Sequence, residues 1–252
     1  MFSVRDFTGD AKPDVVRVTP AGDLLLYRGS GTGALGPPAK IGTGWVGFTN
    51  VFSPGDFTGD RKPDVLAVRA NGDLFLYRGN GVGGFAGKGT RIGVGWQNLS
   101  TMFSPGDFTG DGRSDVMGVN RATGNLYLYR GNGKGGWAAS GQKIGSGWRN
   151  LKVMFSPRDF TGDGRSDVMG VNRASGDLYL YAGNGRGGWL GSGTKAGVGW
   201  GGLATMFSPG DFSGDGKSDV LGSTMSGDLY LYRGNGKGRW LGSGQKVASG
   251  MH

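Results

Sequence analysis

A chain of 252 residues with 57 glycines, 9 prolines and no cysteine excludes collagen, because no strict G-X-Y period runs through it, and excludes disulfide and thiolate-metal scaffolds. Aromatic residues at 11% and hydrophobic residues at 36% are enough to build a core, which disordered glycine-rich chains lack. The net charge is +9, yet the acidic side is uniform: all 19 acidic residues are Asp, so each carboxylate is expected to have a short-range geometric task.

Met1 to Asp6 enters a repeating pattern at once, without a charged-then-apolar leader, and no stretch approaches the length of a membrane span. The pair Phe-Ser recurs with Phe at 2, 52, 103, 155 and 207, which divides the chain into five units. The third reads MFSPGDFTGDGRSDVMGVNRATGNLYLYRGNGKGGWAASGQKIGSGWRNL, the fourth is nearly identical, and divergence grows towards the first.

Four short strands are predicted in each unit. In the fourth unit the first ends at the Phe-Ser pair, the second covers 167 to 171, the third is Leu178 to Tyr181, and the last precedes Gly-x-Gly-Trp. Tight-turn residues such as Ser175-Gly176-Asp177 separate the second from the third. No apolar stripe recurs at helical spacing. A unit of this kind buries its faces only against neighbours, and its length fits propeller blades of about 40–50 residues better than the shorter coils of β-helices. The expected fold is all-β: a single five-bladed β-propeller over 1–252, with four-stranded antiparallel blades at about 1–50, 51–101, 102–153, 154–205 and 206–252. The junction tryptophan of Gly-x-Gly-Trp occurs four times, at Trp45, Trp96, Trp148 and Trp200, and its fifth copy would fall at Met251.

Fifteen of the 19 Asp residues lie in one motif, D-F-[TS]-G-D-x-[KR]-[PS]-D. Its candidate metal ligands are Asp6, Thr8, Asp10 and Asp14; Asp56, Thr58, Asp60 and Asp64; Asp107, Thr109, Asp111 and Asp115; Asp159, Thr161, Asp163 and Asp167; and Asp211, Ser213, Asp215 and Asp219. Side chains at positions 1, 3, 5 and 9, with a carbonyl at 7, can converge on a hard cation such as Ca²⁺. Equally, the same carboxylates can make Asx turns that hold the loop without metal. Position 6 is Gly112, Gly164 and Gly216 in units three to five but Ala11 and Arg61 in the first two. The motif resembles the FG-GAP/VCBS-type calcium loops of propellers such as integrin α-subunits. That resemblance implies bound calcium, although Thr or Ser stands at position 3 where the pattern usually has Asp or Asn.

A second set of aromatics, Trp137, Trp189 and Trp240, follows the turns that contain Asn80, Asn132, Asn184 and Asn235, with Phe85 and Leu35 in the corresponding place earlier in the chain. Such rings can pack blade against blade, or can hold the apolar face of a sugar beside polar partners. The segment Lys143 to Trp148, the following Val153 to Pro157, the Leu178-Tyr179-Leu180-Tyr181 strand and the aromatic before each junction are similar to the tachylectin-type five-bladed propeller lectins. That resemblance implies pockets for N-acetylated hexosamines between neighbouring blades. The Asn set, Trp137, Trp189 and Trp240, and then Trp45, Trp96, Trp148 and Trp200, are the candidate contacts.

The only His is His252 and Glu and Cys are absent, so no unique acid, base or nucleophile emerges. The expected function is therefore non-enzymatic: a secreted, monomeric, multivalent lectin with calcium-stabilised loops and glycan partners. The alternative is a calcium-binding adhesion propeller, as an accessory domain of a larger secreted protein. Nucleic acid is not an expected partner, because the basic residues are scattered over every repeat.

Overall fold

The structure is a computed structural model that describes residues 1–251; His252 lies outside them. Five four-stranded antiparallel sheets form, each from one continuous segment with its strands in chain order. The first strands of the blades are Phe2–Arg5, Phe48–Gly55, Leu99–Gly106, Leu151–Arg158 and Leu203–Gly210. They line a narrow axial channel through Phe2, Phe52, Phe103, Phe155 and Phe207 and the serines that follow each.

Each blade takes its secondary structure from simple patterns. Asp167–Asn172 is a second strand whose first five residues are all buried, as an apolar run covered on both faces should be. Leu178–Tyr181 alternates buried Leu with half-buried Tyr. The first strand carries Pro157 at an irregularity in its pairing with the second strand, a place where a missing N–H does no harm to the ladder.

The core lies between blades rather than inside any one of them. Phe103, Phe108, Met117 and Leu128 of blade 3 pack with Trp148, Leu151, Met154 and Val168 of the next connection and blade 4, and the other junctions repeat this arrangement. Backbone bonds tie neighbours in the same way all round the ring: the N–H groups of Gly83, Gly135, Gly187 and Gly238 donate to Phe7, Phe57, Phe108 and Phe160, and Gly33 closes the ring by donating to Phe212 at 2.8 Å.

Two boundaries differ from the sequence-based expectation. First strands run on to Gly55, Gly106, Arg158 and Gly210 instead of ending at Phe-Ser, and those of blades 2 to 5 begin at Phe48, Leu99, Leu151 and Leu203. The blades therefore meet a few residues before the predicted divisions, because the single 3₁₀ turns at Trp45–Gly47, Trp96–Asn98, Trp148–Asn150 and Trp200–Gly202 make the crossing. Each of these turns follows a left-handed glycine, a local event that helical periodicity does not report.

Candidate functional site

The aspartate loops occupy one face of the ring and are satisfied from within. In blade 3, Asp107 Oδ1 accepts the N–H groups of Gly110 and Asp111 at 2.6 and 3.1 Å, and its Oδ2 accepts that of Gly112 at 2.8 Å. Asp115, fully buried, accepts Phe108 and Thr109 N–H on Oδ2 at 3.0 and 3.1 Å and Gly131 N–H on Oδ1 at 3.3 Å. Asp111 takes the N–H of Arg113 at 3.0 Å. The buried carboxylates of Asp14, Asp64, Asp167 and Asp219 make the same bonds, and each joins the loop to a glycine at the end of the third strand. That glycine must lack a side chain: a Cβ on Gly183 would lie 2.1 Å from the carbonyl oxygen of Ser166.

Burial dominates the electrostatics of these latches. It pushes the Asp115 carboxyl up to about 6 against the pull of its amide donors, and it raises Asp14, Asp64, Asp167 and Asp219 in the same direction. The hydroxyls of Thr8, Thr58, Thr109, Thr161 and Ser213 are enclosed and reach no full hydrogen bond, although each helps to hold down the pKa of its neighbouring carboxyl.

The aromatic residues gather at the blade junctions. Trp200 stands 4.5 Å from Tyr232 and 5.0 Å from Trp240, ring centre to ring centre. Trp96 with Tyr129 and Trp137, Trp148 with Tyr181 and Trp189, and Trp45 with Tyr77 and Phe85 repeat this triad. The junction tryptophans are buried; Trp137, Trp189 and Trp240 are half-buried. Indole N–H groups stitch across the joint, Trp189 to the Ile144 carbonyl at 3.0 Å and Trp240 to that of Ala196 at 2.9 Å. Beside two of these triads a cavity opens. One of about 400 Å³ is lined by Trp200, Leu203, Tyr232 and Trp240 with Thr224 and Ser243. Its counterpart of about 300 Å³ lies against Trp96, Leu99 and Tyr129 with Asn98 and Asn120.

A family model described as FG-GAP-like repeat matches residues 6–67, 56–118 and 159–222. The chain belongs to the FG-GAP-like repeat family. No curated protein matches it. Among solved structures it is similar to the BP39L lectin from Burkholderia pseudomallei, at 20% identity over 98% of this chain and 68% of that one with a TM-score of 0.49. It is also similar to AofleA from Arthrobotrys oligospora, at 12% identity over 94% and 69% of the two chains with a TM-score of 0.48.

In this FG-GAP-like protein the expected calcium ligands do not form a cage. Both oxygens of Asp107 and of Asp115 face backbone N–H groups, and among the described residues no three carboxylates converge on a point where a metal could sit. The enclosed Thr and Ser hydroxyls are the one feature that suits an ion. Each loop thus presents an enclosed hydroxyl and the remaining lone pairs of carboxylates that already accept amide N–H groups, against the six to eight oxygens calcium takes.

The expected sugar contacts separate into two groups. The tryptophans of both sets come together at the joints, whereas Asn80, Asn132, Asn184 and Asn235 use their side-chain carbonyls to accept N–H groups two and four residues ahead. These asparagines close their own turns and line neither cavity. Sequence reasoning missed Tyr129 and Tyr232, whose rings complete the cavity walls. The signal was the half-buried alternate position of the Leu-Tyr-Leu-Tyr strand, where a large amphipathic ring has to meet something beyond its own sheet.

Proposed function

We propose that the protein is a multivalent carbohydrate-binding module whose sugars lie in the cavities between blades. The observation that carries this reading is the cavity of about 400 Å³ walled by Trp200, Tyr232 and Trp240 and edged by Thr224 and Ser243. An aromatic wall suits the apolar face of a pyranose and the methyl of an acetamido group, while hydroxyls and backbone groups at the edge suit its polar positions. N-acetylated hexosamines are the sugars we favour. Neither cavity lining contains a carboxylate or a histidine, which agrees with binding rather than glycosidic cleavage, a reaction that generally needs a pair of acids.

Repetition would supply the strength that each site lacks, since weak pockets on a rigid ring gain avidity on a repetitive glycan. Such a role places the protein outside the cell; no helix among the described residues is long and apolar enough to cross a membrane. We read the aspartate loops as amide-bonded latches that hold the blades in register.

A glycan array run with the native protein and with Trp240→Leu tests the reading. Leu is the residue of the first unit at this position, paired through Leu35 with Gly29 as Trp240 pairs with Gly234, so the variant should fold. Binding to glycans ending in N-acetylhexosamine, weakened in the variant, supports it. Binding to proteins or polyanions alone would replace it with the adhesion reading.

A further inference from the structure

The ends of the five inner strands are not equivalent. At the axial mouth on the aspartate-loop face, blades 2, 3 and 5 place Gly55, Gly106 and Gly210, while blades 1 and 4 place Arg5 and Arg158. All five positions have left-handed backbone, with φ of 80°, 76° and 92° at the glycines and 58° and 60° at the arginines. The two arginines thus occupy a conformation that L-residues with a Cβ adopt at a steric cost, where glycine would sit without strain.

Their side chains turn over the glycines of the other blades. A Cβ on Gly106 would lie 2.7 Å from Arg158 Cζ, and one on Gly55 would lie 3.1 Å from Arg158 Nη2 and 3.8 Å from Arg5 Cδ. The space above Gly55 and Gly106 is therefore filled by guanidinium, and Arg5 Nη1 extends to within 3.6 Å of the same position on Gly210. Arg158 Nε is enclosed without a hydrogen-bond partner. Neither arginine takes part in any of the ion pairs among the described residues. The neighbouring backbone N–H groups are already bonded to Ser3, Ser53, Ser104, Ser156 and Ser208.

The Arg158 guanidinium and the Arg5 side chain converge over Gly55, so two cations without a carboxylate partner share one part-buried mouth, in a medium less polarisable than water. Burial alone brings Arg158 down to about 10, which still leaves it charged at neutral pH. An oxyanion would offset both charges, and the planar fork of Arg matches its geometry. We propose that Arg5 and Arg158 form a single anion-binding site at the axial mouth, specific for a small oxyanion and separate from the blade junctions.

The test is calorimetric titration of the native protein with sodium phosphate, sodium sulfate and sodium acetate at ionic strength fixed with chloride, alongside Arg158→Gly and Arg5→Gly. Three blades carry Gly at this position, so both variants should fold. We expect one site per chain. Its occupation should raise the melting temperature by roughly 2–4 °C at about a tenfold excess over Kd, and either variant should weaken the affinity about tenfold or more. Phosphate and sulfate ahead of acetate would define a tetrahedral ligand; the reverse order would define a carboxylate. Absence of a saturable site in the native protein, or equal binding and equal shifts in both variants, would overturn the proposal. A general salting effect would give that second outcome.

Discussion

The N–H of Met251 donates to the carbonyl of Gly227 at 2.8 Å, the bond that Trp45, Trp96, Trp148 and Trp200 make to Gly22, Gly72, Gly124 and Gly176 at the other joints. Met251 is buried and packs with Tyr27, Leu25 and Leu35. The seam between the last blade and the first therefore keeps the backbone geometry of a joint but exchanges its aromatic triad for a single ring, Tyr27, packed with Met251 and Leu35. Five blades carry four aromatic joints.

This asymmetry predicts unequal costs. Trp148→Ala removes a ring that stacks on Trp189 and packs against Tyr181, and should destabilise the protein by about 3–5 kcal/mol, while Met251→Ala should cost about 2–3 kcal/mol. Urea denaturation of the two variants measures the difference.

Asp115 links its loop to the end of the third strand of the same blade through three amides, so Asp115→Asn turns an acceptor into a donor facing N–H groups. The expected loss is about 1–3 kcal/mol. Asp107→Asn, in a solvent-facing loop, should cost less. Equilibrium unfolding of both variants checks the order.

The same latches set a pH dependence. The folded pKa of Asp115 is raised from 3.8 to about 6 by burial, so the folded state binds more protons than the unfolded state between those values. Its contribution is fully present below about pH 4 and is lost as pH rises through about 6. The other four latch carboxylates shift the same way. Asp177 and Asp228, held down by Lys195 and Lys246, lose their contribution only as the pH falls below the ordinary Asp value. Thermal melting should therefore give a higher transition at pH 5 than at pH 7, with a smaller rise in Asp115→Asn.

Ala11 and Arg61 stand at the left-handed sixth position of the aspartate motif, with φ of 64° and 66°, where later units have glycine. Arg61→Gly should stabilise by up to about 1 kcal/mol, the steric relief exceeding the added chain entropy. Melting in EDTA should leave every transition unmoved if the loops are latches; a chelator-dependent fall, reversed by calcium, would restore the metal reading.

The blade count, the four strands and the weak fifth joint were legible in the sequence because each rests on repetition: Phe155-Ser156, Leu178 to Tyr181 and the Gly-x-Gly-Trp junction report local periodicity directly. The role of Asp115 was not. A carboxylate that gathers amides and one that gathers oxygens round calcium share a spacing, and the bond to Gly131, a strand away, is visible only in the fold. The turn role of the asparagines was hidden for a related reason, since the side-chain carbonyl of Asn132 closes its turn by accepting N–H groups two and four residues ahead. Arg5 and Arg158 were invisible as a pair, because their convergence over Gly55 depends on the ring placing blades 1 and 4 around a common axis.

The central claim is that sugars bind where the junction tryptophans meet Tyr129 and Tyr232. Titration of N-acetylglucosamine into the native protein and Trp240→Leu, followed by calorimetry and tryptophan fluorescence, tests it most directly. The account predicts weak sites, on the order of 0.1–1 mM each, no more than four per chain, with one lost in the variant. Failure of any N-acetylated or plain hexose to bind, with the fold intact, would contradict it.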